Sequence, residues 1–454
     1  MRLLHTADWH LGRLLHRMPL LDAQAAAIDH LVDLAREEQV DAILVAGDVF
    51  DRALPPVEAV RVAGDALRRL AEVAPVVVIS GNHDSAGRLG FAAELIAAGG
   101  VHLRTDPRGC DEPLVLQDEH GPVAIYGLPY LDPELARDPL QVEERSHHAV
   151  LTAAMDRVRA DLATRDGARS VVVAHAFVAG GRASESERDI SIGGAQTVSP
   201  AVFAGIDYGA LGHLHRPHAV GGPQREPAEQ RVLAHAGAGA GAADTGPARV
   251  DGGAAVAEEL GGLFALALDE PAMPTATDHD AAPTDPADGD GDGPVLRYAG
   301  SPLPYSFGEA GLTKTTTIVD LDGDGAVSIR QVPVPAPFRL VRLRGTLDEL
   351  LQDPRLGEHE DEGSWLEVVL TDPRLPARPM ERLRRRFPRV LVLQHAPDGD
   401  LGPTTSATSR VQGRSDLEVV ERFVLDVRGD GASDEESPLL RAAVEHVARA
   451  SSEQ

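Results

Sequence analysis

Short unbroken apolar runs punctuate the first half of the chain, and each of them ends in a cluster of Asp, His, Asn or Gly. Leu3-Leu4-His5-Thr6-Ala7, Ala42-Ile43-Leu44-Val45-Ala46 and Val76-Val77-Val78-Ile79 read as strands, followed by Val171-Val172-Val173-Ala174 and Tyr208-Gly209-Ala210-Leu211. Runs with no polar alternation suit a sheet covered on both faces, so the expected class is α/β. The clusters at the run ends are Asp8-Trp9-His10, Gly47-Asp48-Val49-Phe50-Asp51, Gly81-Asn82-His83-Asp84, His175 and Gly212-His213-Leu214-His215. Ligands of open α/β sheets bind beyond the carboxyl ends of the strands, where each cluster falls. Residues i and i+2 of extended chain point the same way, so Asp8 with His10, and His213 with His215, can aim into one site. Glycines 47, 81 and 212 let the backbone turn before each polar group. A lone H-x-H is ordinary surface or core. The whole array of carboxylate, imidazole and one amide suits two borderline-hard metal ions.

In order and spacing the array resembles the calcineurin-like metallophosphoesterases (D-x-H, G-D, G-N-H-D/E, a lone H, G-H-x-H). The segments "MRLLHTADWHLGR", "VDAILVAGDVFDR", "VISGNHDS", "SERDISIGG", "YGALGHLHRP" and "YAGSPLPYSFGEAG" narrow this to the SbcD family. Its members are nuclease subunits of bacterial SbcCD exonucleases, related to the archaeal and eukaryotic double-strand-break repair nucleases. The likeness is strong over residues 1–220 and 294–332. Ser186–Gly194 and Tyr298–Gly311 carry it beyond the shared metal motifs. It implies an αββα sandwich core and a two-metal site. One ion would be held by Asp8, His10, Asp48 and His215, the other by Asp48, Asn82, His175 and His213. Two such cations clamp a phosphodiester and lower the pKa of a bound water. The resemblance gives His83 a role at the leaving oxygen, with Asp84 orienting it as a carboxylate–imidazole pair. Mixed Asp/His/Asn ligation favours Mn²⁺, with Fe, Co or Zn as alternatives. Asp51 reads as a neighbour of the ligands, and His5 as a packed core histidine.

Composition bounds the rest. With 454 residues and 43% hydrophobic content, two or three domains are expected. Cys110 is the only cysteine, so no internal disulfide is possible, and no apolar run reaches a membrane span. A cytoplasmic protein is expected. The net charge of −28 is unusual for a DNA enzyme, since phosphate contacts need local positive charge. Much of it is localised: residues 221–293 hold 14 acidic and 3 basic side chains in a Gly/Ala/Pro/Asp-rich stretch of disordered type. It holds one apolar island, Leu263–Leu268, and reads as an insertion. Arginine has almost wholly displaced lysine. Lys314 is the sole lysine, and no G-x-x-x-x-G-K-[ST] loop exists, so this chain is not a P-loop ATPase. Any ATP-driven step belongs to another polypeptide. The resemblance implies a coiled-coil ATPase, SbcC, in a heterotetramer with two copies of each subunit, acting on DNA and away from membranes.

Past Pro333–Pro337 a smaller α+β unit is expected over residues 338–428, where the family carries a DNA-contacting cap domain. Strands are expected at Phe338–Leu343, Trp365–Leu370 and Val390–Leu393, with helices after the Thr346/Glu349 capping box and over Met380–Arg386. Arg382, Arg384, Arg385, Arg386 and Arg389 offer either a phosphate track or a solvated helix face, and Arg188-Asp189 either a phosphate contact or a loop ion pair. Residues 397–416, with Arg410 and Arg414, read as linker. A final helix over 437–450, with Ser437 as cap and Pro438 at its first position, carries an apolar stripe of Leu440, Ala443, Val444 and Val447. That stripe suits docking to the ATPase partner or to the chain's own cap domain. The expected function is two-metal-dependent DNA exonuclease and hairpin endonuclease activity. A small-nucleotide phosphodiesterase and a non-catalytic DNA adaptor are the competitors.

Overall fold

The computed structural model describes residues 1–181, 186–187, 197–221, 293–397, 415–428, 431–433 and 436–452. The acidic insertion with its apolar island, Arg188-Asp189, Arg410 and Arg414 lie outside the described residues. Residues 1–396 form one compact unit and residues 397–454 a second.

In the first unit the main strands are β1 (Arg2–Thr6), β2 (Ala42–Val45), β3 (Val76–Ile79), β4 (Val101–Arg104), β5 (Leu114–Asp118) and β6 (Gly121–Leu128). They continue as β7 (Arg169–His175), β8 (Tyr208–Gly212), β9 (His218–Ala219), β10 (Val295–Tyr298), β11 (Thr315–Leu321) and β12 (Val327–Pro333). Two six-stranded sheets result, ordered β12-β11-β1-β2-β3-β4 and β9-β10-β8-β7-β6-β5. Strands β1 to β4 are mutually parallel, as are β6, β7, β8 and β10; antiparallel strands close both edges of the second sheet and one edge of the first, whose other edge is the parallel strand β4.

The unbroken apolar runs have a two-sided destination. Leu4, Ile43, Val45, Val76 and Val78 pack under helices α1 (Leu21–Glu37) and α2 (Val57–Ala71), through Ile28, Leu31, Ala63 and Leu70. Their sequence neighbours Leu3, Leu44, Val77 and Ile79 turn the other way, against Val123, Ile125, Val171 and Val173 of the second sheet. Ala124, Tyr126, Val172 and Ala174 face helices α3 (Pro133–Leu140) and α4 (His147–Leu162). Each fully buried Leu or Val contributes about 1.5–3 kcal/mol, so both residue parities are held by burial. This is the expected αββα sandwich. His5 lies inside it, fully buried, with Nδ1 2.8 Å from the Tyr208 hydroxyl.

Residues after Pro337 add a parallel three-stranded sheet of β13 (Arg339–Gly345), β14 (Ser364–Leu370) and β15 (Val390–His395), with α5 (Leu347–Gln352) and α6 (Pro379–Arg386). Its core is Leu343, Leu350, Leu366, Val368, Leu383 and Phe387. The Thr346/Glu349 capping box opens α5. In the second unit α7 (Asp416–Arg428) and α8 (Ser437–Ser452) pack together. Helix α7 follows directly on the expected linker, opened by a capping box of Ser415 and Glu418 that the sequence reading does not include. Before α8 the Ser433/Glu436 pair also closes as a capping box. Helix α8 itself starts at Ser437, as expected, with Pro438 in its first turn, where the missing N–H would have no intrahelical partner. Among the described residues no helix is long and apolar enough to cross a membrane.

The insertion leaves and returns through neighbouring strands. His218 pairs with Tyr298, and the Val220 N–H donates to the Leu296 carbonyl at 2.9 Å. Deleting residues 224–291 leaves a short hairpin loop, so folding and Mn²⁺-dependent cleavage are expected to persist. DNA binding should tighten slightly at low salt as like charge is removed. Thermal unfolding and salt-dependent binding of the deletion check this.

Candidate metal centre and active site

The strand ends from both sheets meet at one point. β1 delivers Asp8 and His10, β2 delivers Asp48 and β3 delivers Asn82, while the second sheet brings His175 from β7 and His213 and His215 from β8. Short main-chain bonds fix the first loops: Asp8 N–H to the Gly47 carbonyl at 3.0 Å, and His10 N–H to the Asp48 carbonyl at 2.9 Å. Asp8 (φ 54°), His10 (47°), Asp48 (51°) and His213 (99°) all sit in left-handed backbone. Asp and His are among the residues that tolerate this region, and single strained positions of this kind gather at functional sites.

All seven sequence candidates for metal ligands converge. Asp48 Oδ2 lies 3.6 Å from His10 Nε2 and 3.5 Å from His175 Nε2, between two donor groups. On one side His10 Nε2 is 2.9 Å from His215 Nε2. On the other, Asn82 Oδ1 is 2.9 Å from His175 Nε2 and 3.1 Å from His213 Nδ1. The Asp8 carboxylate accepts the His213 N–H at 3.0 Å. Donor atoms of Asp8, His10 and His215, and of Asp8, Asp48 and His175, fall within 4.8 Å of one another.

The donor chemistry fits divalent cations. His175 Nδ1–H is committed to the Ala46 carbonyl at 2.9 Å, which leaves Nε2 as a bare lone pair facing the oxygens of Asn82 and Asp48. Electron-rich atoms converge there with no proton between them, an arrangement that a cation makes attractive. Burial, reinforced by the crowding of neighbouring imidazoles and, at His10 and His215, by Arg13, pushes His10, His213 and His215 well below the usual imidazole range. Burial, with His83 adding to it and the bond to the Ala46 carbonyl opposing it, takes His175 down to about 3. Neutral imidazole is the form that binds metal. Burial, with Asp48 nearby, raises Asp8 well above the carboxylate range, and burial raises Asp48 to about 6. Such a pocket of desolvated acids calls for positive charge.

Asp84 does not orient His83. Its carboxylate accepts the N–H groups of Val49 (3.1 Å), Phe50 (2.9 Å) and Gly81 (2.9 Å), tying the β2 and β3 loops together. Burial and the nearby Asp48 charge raise its pKa to about 7. His83 is held instead by the Asp51 carbonyl, 2.8 Å from Nδ1, which turns Nε2 towards Asp48 Oδ2 at 4.0 Å. The Asp51 side chain stands beside the ligands, 3.9 Å from His10 Nδ1 and 3.5 Å from Arg13.

Several supporting residues are absent from the sequence reading. Gln24 of α1 donates to the carbonyls of Trp9 (3.1 Å) and His10 (2.7 Å) and accepts the Gly12 N–H (3.0 Å). A glutamine on the apolar face of α1 is the signal that could have found it. The Tyr305 hydroxyl bonds the Trp9 carbonyl, and the Arg13 guanidinium lies over the Tyr305 ring. Tyr130 stacks beside His213.

Gly212, at the end of β8, packs against the backbone that follows β2. A Cβ there would collide with the Ala46 carbonyl oxygen, which neither backbone can yield. Gly212→Ala is expected to destabilise the chain by more than about 3 kcal/mol and to weaken metal binding, as read by urea unfolding.

A family model described as calcineurin-like phosphoesterase matches residues 1–217, and one described as Type 5 capsule protein repressor C-terminal domain matches residues 337–428. The SbcD subunit of the SbcCD nuclease from Bacillus subtilis (strain 168) is 30% identical over 416 residues, covering 87% of this chain and 85% of that protein. Among solved structures, TT1561 of Thermus thermophilus is 16% identical, with 43% of this chain and 72% of that chain covered and a TM-score of 0.26. A putative 5'-nucleotidase from Staphylococcus aureus is 14% identical, with 72% of this chain and 44% of that chain covered and a TM-score of 0.28. Structural likeness at that level carries no argument about function. The curated relative spans most of both chains and the phosphoesterase model covers the strands that build the site: the chain belongs to the SbcD family of nuclease subunits, metal-dependent phosphodiester hydrolases built on a calcineurin-like phosphoesterase domain.

Proposed function

We propose that the chain is the nuclease subunit of an SbcCD-type complex and hydrolyses DNA phosphodiesters at a site that holds two divalent ions, Mn²⁺ first among them. The observation that carries this reading is the place of Asp48, whose Oδ2 stands about equally far from His10 and His175. One ion falls to Asp8, His10, Asp48 and His215, and the other to Asp48, Asn82, His175 and His213. When bound, such ions polarise the phosphoryl group and make water a competent nucleophile at neutral pH. The protein's own part is to hold these donors on two rigid sheets and to manage one proton. His83, anchored through Nδ1 to the Asp51 carbonyl, presents Nε2 to the leaving oxygen and passes a proton to it. Asp84 keeps the loops carrying Asp48 and Asn82 in register.

The domain roles follow. Residues 1–220 and 294–332 form the nuclease domain, 221–293 an acidic insertion, 338–428 a DNA-contacting cap and 437–450 a docking helix for the SbcC-type ATPase that drives processing in a two-plus-two assembly. In the cap, Arg386 is spent on the carbonyls of Leu350 and Asp353. Arg384 bonds the Val390 carbonyl. Arg382, Arg385 and Arg389 hold only exposed carboxylates (Asp348, Glu381 and Glu362). Exposed pairs are weak, so a phosphate can replace those carboxylates. A cytoplasmic location fits a DNA substrate.

Incubating the purified chain with Mn²⁺ and labelled duplex, hairpin and mononucleotide diester substrates tests this. Cleavage of duplex or hairpin DNA is the expected result. Turnover of the mononucleotide diester alone would make it a small-nucleotide phosphodiesterase, and DNA binding without any cleavage would make it an adaptor.

A further inference from the structure

The sole lysine of the sequence, among 43 lysines and arginines, is buried beside the site. Lys314 Nζ donates to Glu309 Oε2 at 2.6 Å and to the main-chain carbonyl of His215 at 2.7 Å. Glu309 Oε1 accepts the Ser186 hydroxyl at 2.6 Å, and the Ser186 oxygen lies 2.5 Å from His215 Nδ1. The chain of bonds closes on itself: imidazole, hydroxyl, carboxylate, ammonium and back to the main chain of the same histidine. All four residues are buried. A compact ammonium serves two acceptors in so small a space, where a planar guanidinium is larger and forked. Every other basic residue being arginine, the steric demand at this one position stands out.

Counting protons around the ring fixes its direction. The Glu309 carboxylate, paired with Lys314, is acceptor-only, so the single Ser186 proton goes to Glu309. The Ser186 oxygen must then accept, and the proton it accepts is the one on His215 Nδ1. His215 Nε2 is left as a bare lone pair, directed at His10 Nε2 across 2.9 Å.

We propose that Ser186, Glu309 and Lys314 are positioning residues that lock His215 in the Nδ1–H tautomer and aim its Nε2 at the metal. The proposal rests on the assignment of His215 as a ligand. It gives a task to both segments that separate this family from other phosphoesterases, since Ser186 lies in one of them and Glu309 in the other.

Ser186→Ala tests it with little risk to folding, because Glu309 Oε1 keeps the Tyr305 N–H and the Ser306 hydroxyl. Calorimetric titration of metal-stripped protein with Mn²⁺ should show one of two sites weakened by about 10–100-fold, the range for losing an outer-shell partner of a ligating histidine. The melting temperature of the metal-free variant should match wild type, and Ser186→Thr, which keeps the hydroxyl, should restore affinity. Wild-type affinity at both sites in Ser186→Ala, or a Ser186→Thr as weak as the alanine variant, would overturn the positioning role alone. Absence of Mn²⁺ binding by the wild-type protein would overturn the ligand assignment and the proposal with it.

Discussion

Asp48→Ala is expected to bring metal-dependent cleavage to background, a loss of at least about 10³-fold, and to lower the bound-metal count. Losing the polarisation and water activation of a two-ion site removes several kcal/mol of transition-state stabilisation, and each 1.36 kcal/mol is tenfold in rate. A single carboxylate oxygen of Asp48 stands within 4 Å of both His10 Nε2 and His175 Nε2, so its loss opens both donor groups at once. Alanine would also leave the buried His83 N–H without the Oδ1 acceptor it now has at 2.8 Å. Asp48→Asn separates the two effects, since it keeps that acceptor and tolerates left-handed backbone. Elemental analysis of both variants, with circular dichroism to confirm folding, reads the outcome. A folded Asp48→Asn that still binds two ions and cleaves DNA would refute the bridging role.

His83→Ala is expected to keep its metals and lose turnover by about 10²–10⁴, the usual range for one acid–base group. The imidazole is almost fully buried, edge-on to His10 at 4.6 Å, and its Nε2 is oriented by the Asp51 carbonyl rather than by a carboxylate. Donor atoms of His10, Asp48 and His83 also lie within 4.8 Å of one another, which leaves a ligand role as the competing account. The metal count decides between them. Two ions with slow turnover fit proton transfer, whereas loss of one ion would make His83 a ligand.

The core is legible in the sequence because burial on both faces writes itself into unbroken apolar runs. The run Val76–Ile79 has the bounds of its strand, and the expected cap strands agree with the structure within two residues. The convergence of seven polar residues is legible because each follows a strand end. Local pairing is not. His83 and Asp84 are adjacent in a bend, where sequence neighbours follow no strand or helix period: the carboxylate reaches main-chain N–H groups while the imidazole finds a carbonyl across the loop. Ser186 and Glu309 are separated by more than a hundred positions, and only the closed fold shows that they touch. Helix α7 is hidden for a different reason: its S-x-x-E signature at Ser415–Glu418 follows a stretch of linker-like composition that masks the start of a periodic segment.

The left-handed backbone at Asp8, His10, Asp48 and His213 has a bearing on how the protein is handled. Strained residues of this kind cost about 1–3 kcal/mol each, and they sit among desolvated acids that repel one another. The metal-free chain is thus at its weakest where the two sheets meet, and divalent ions that bind only the folded form offset that weakness by mass action. Its melting temperature should climb with free Mn²⁺ and fall in chelating buffers, so a preparation stripped of metal during purification is a different thermodynamic object from the metal-loaded enzyme.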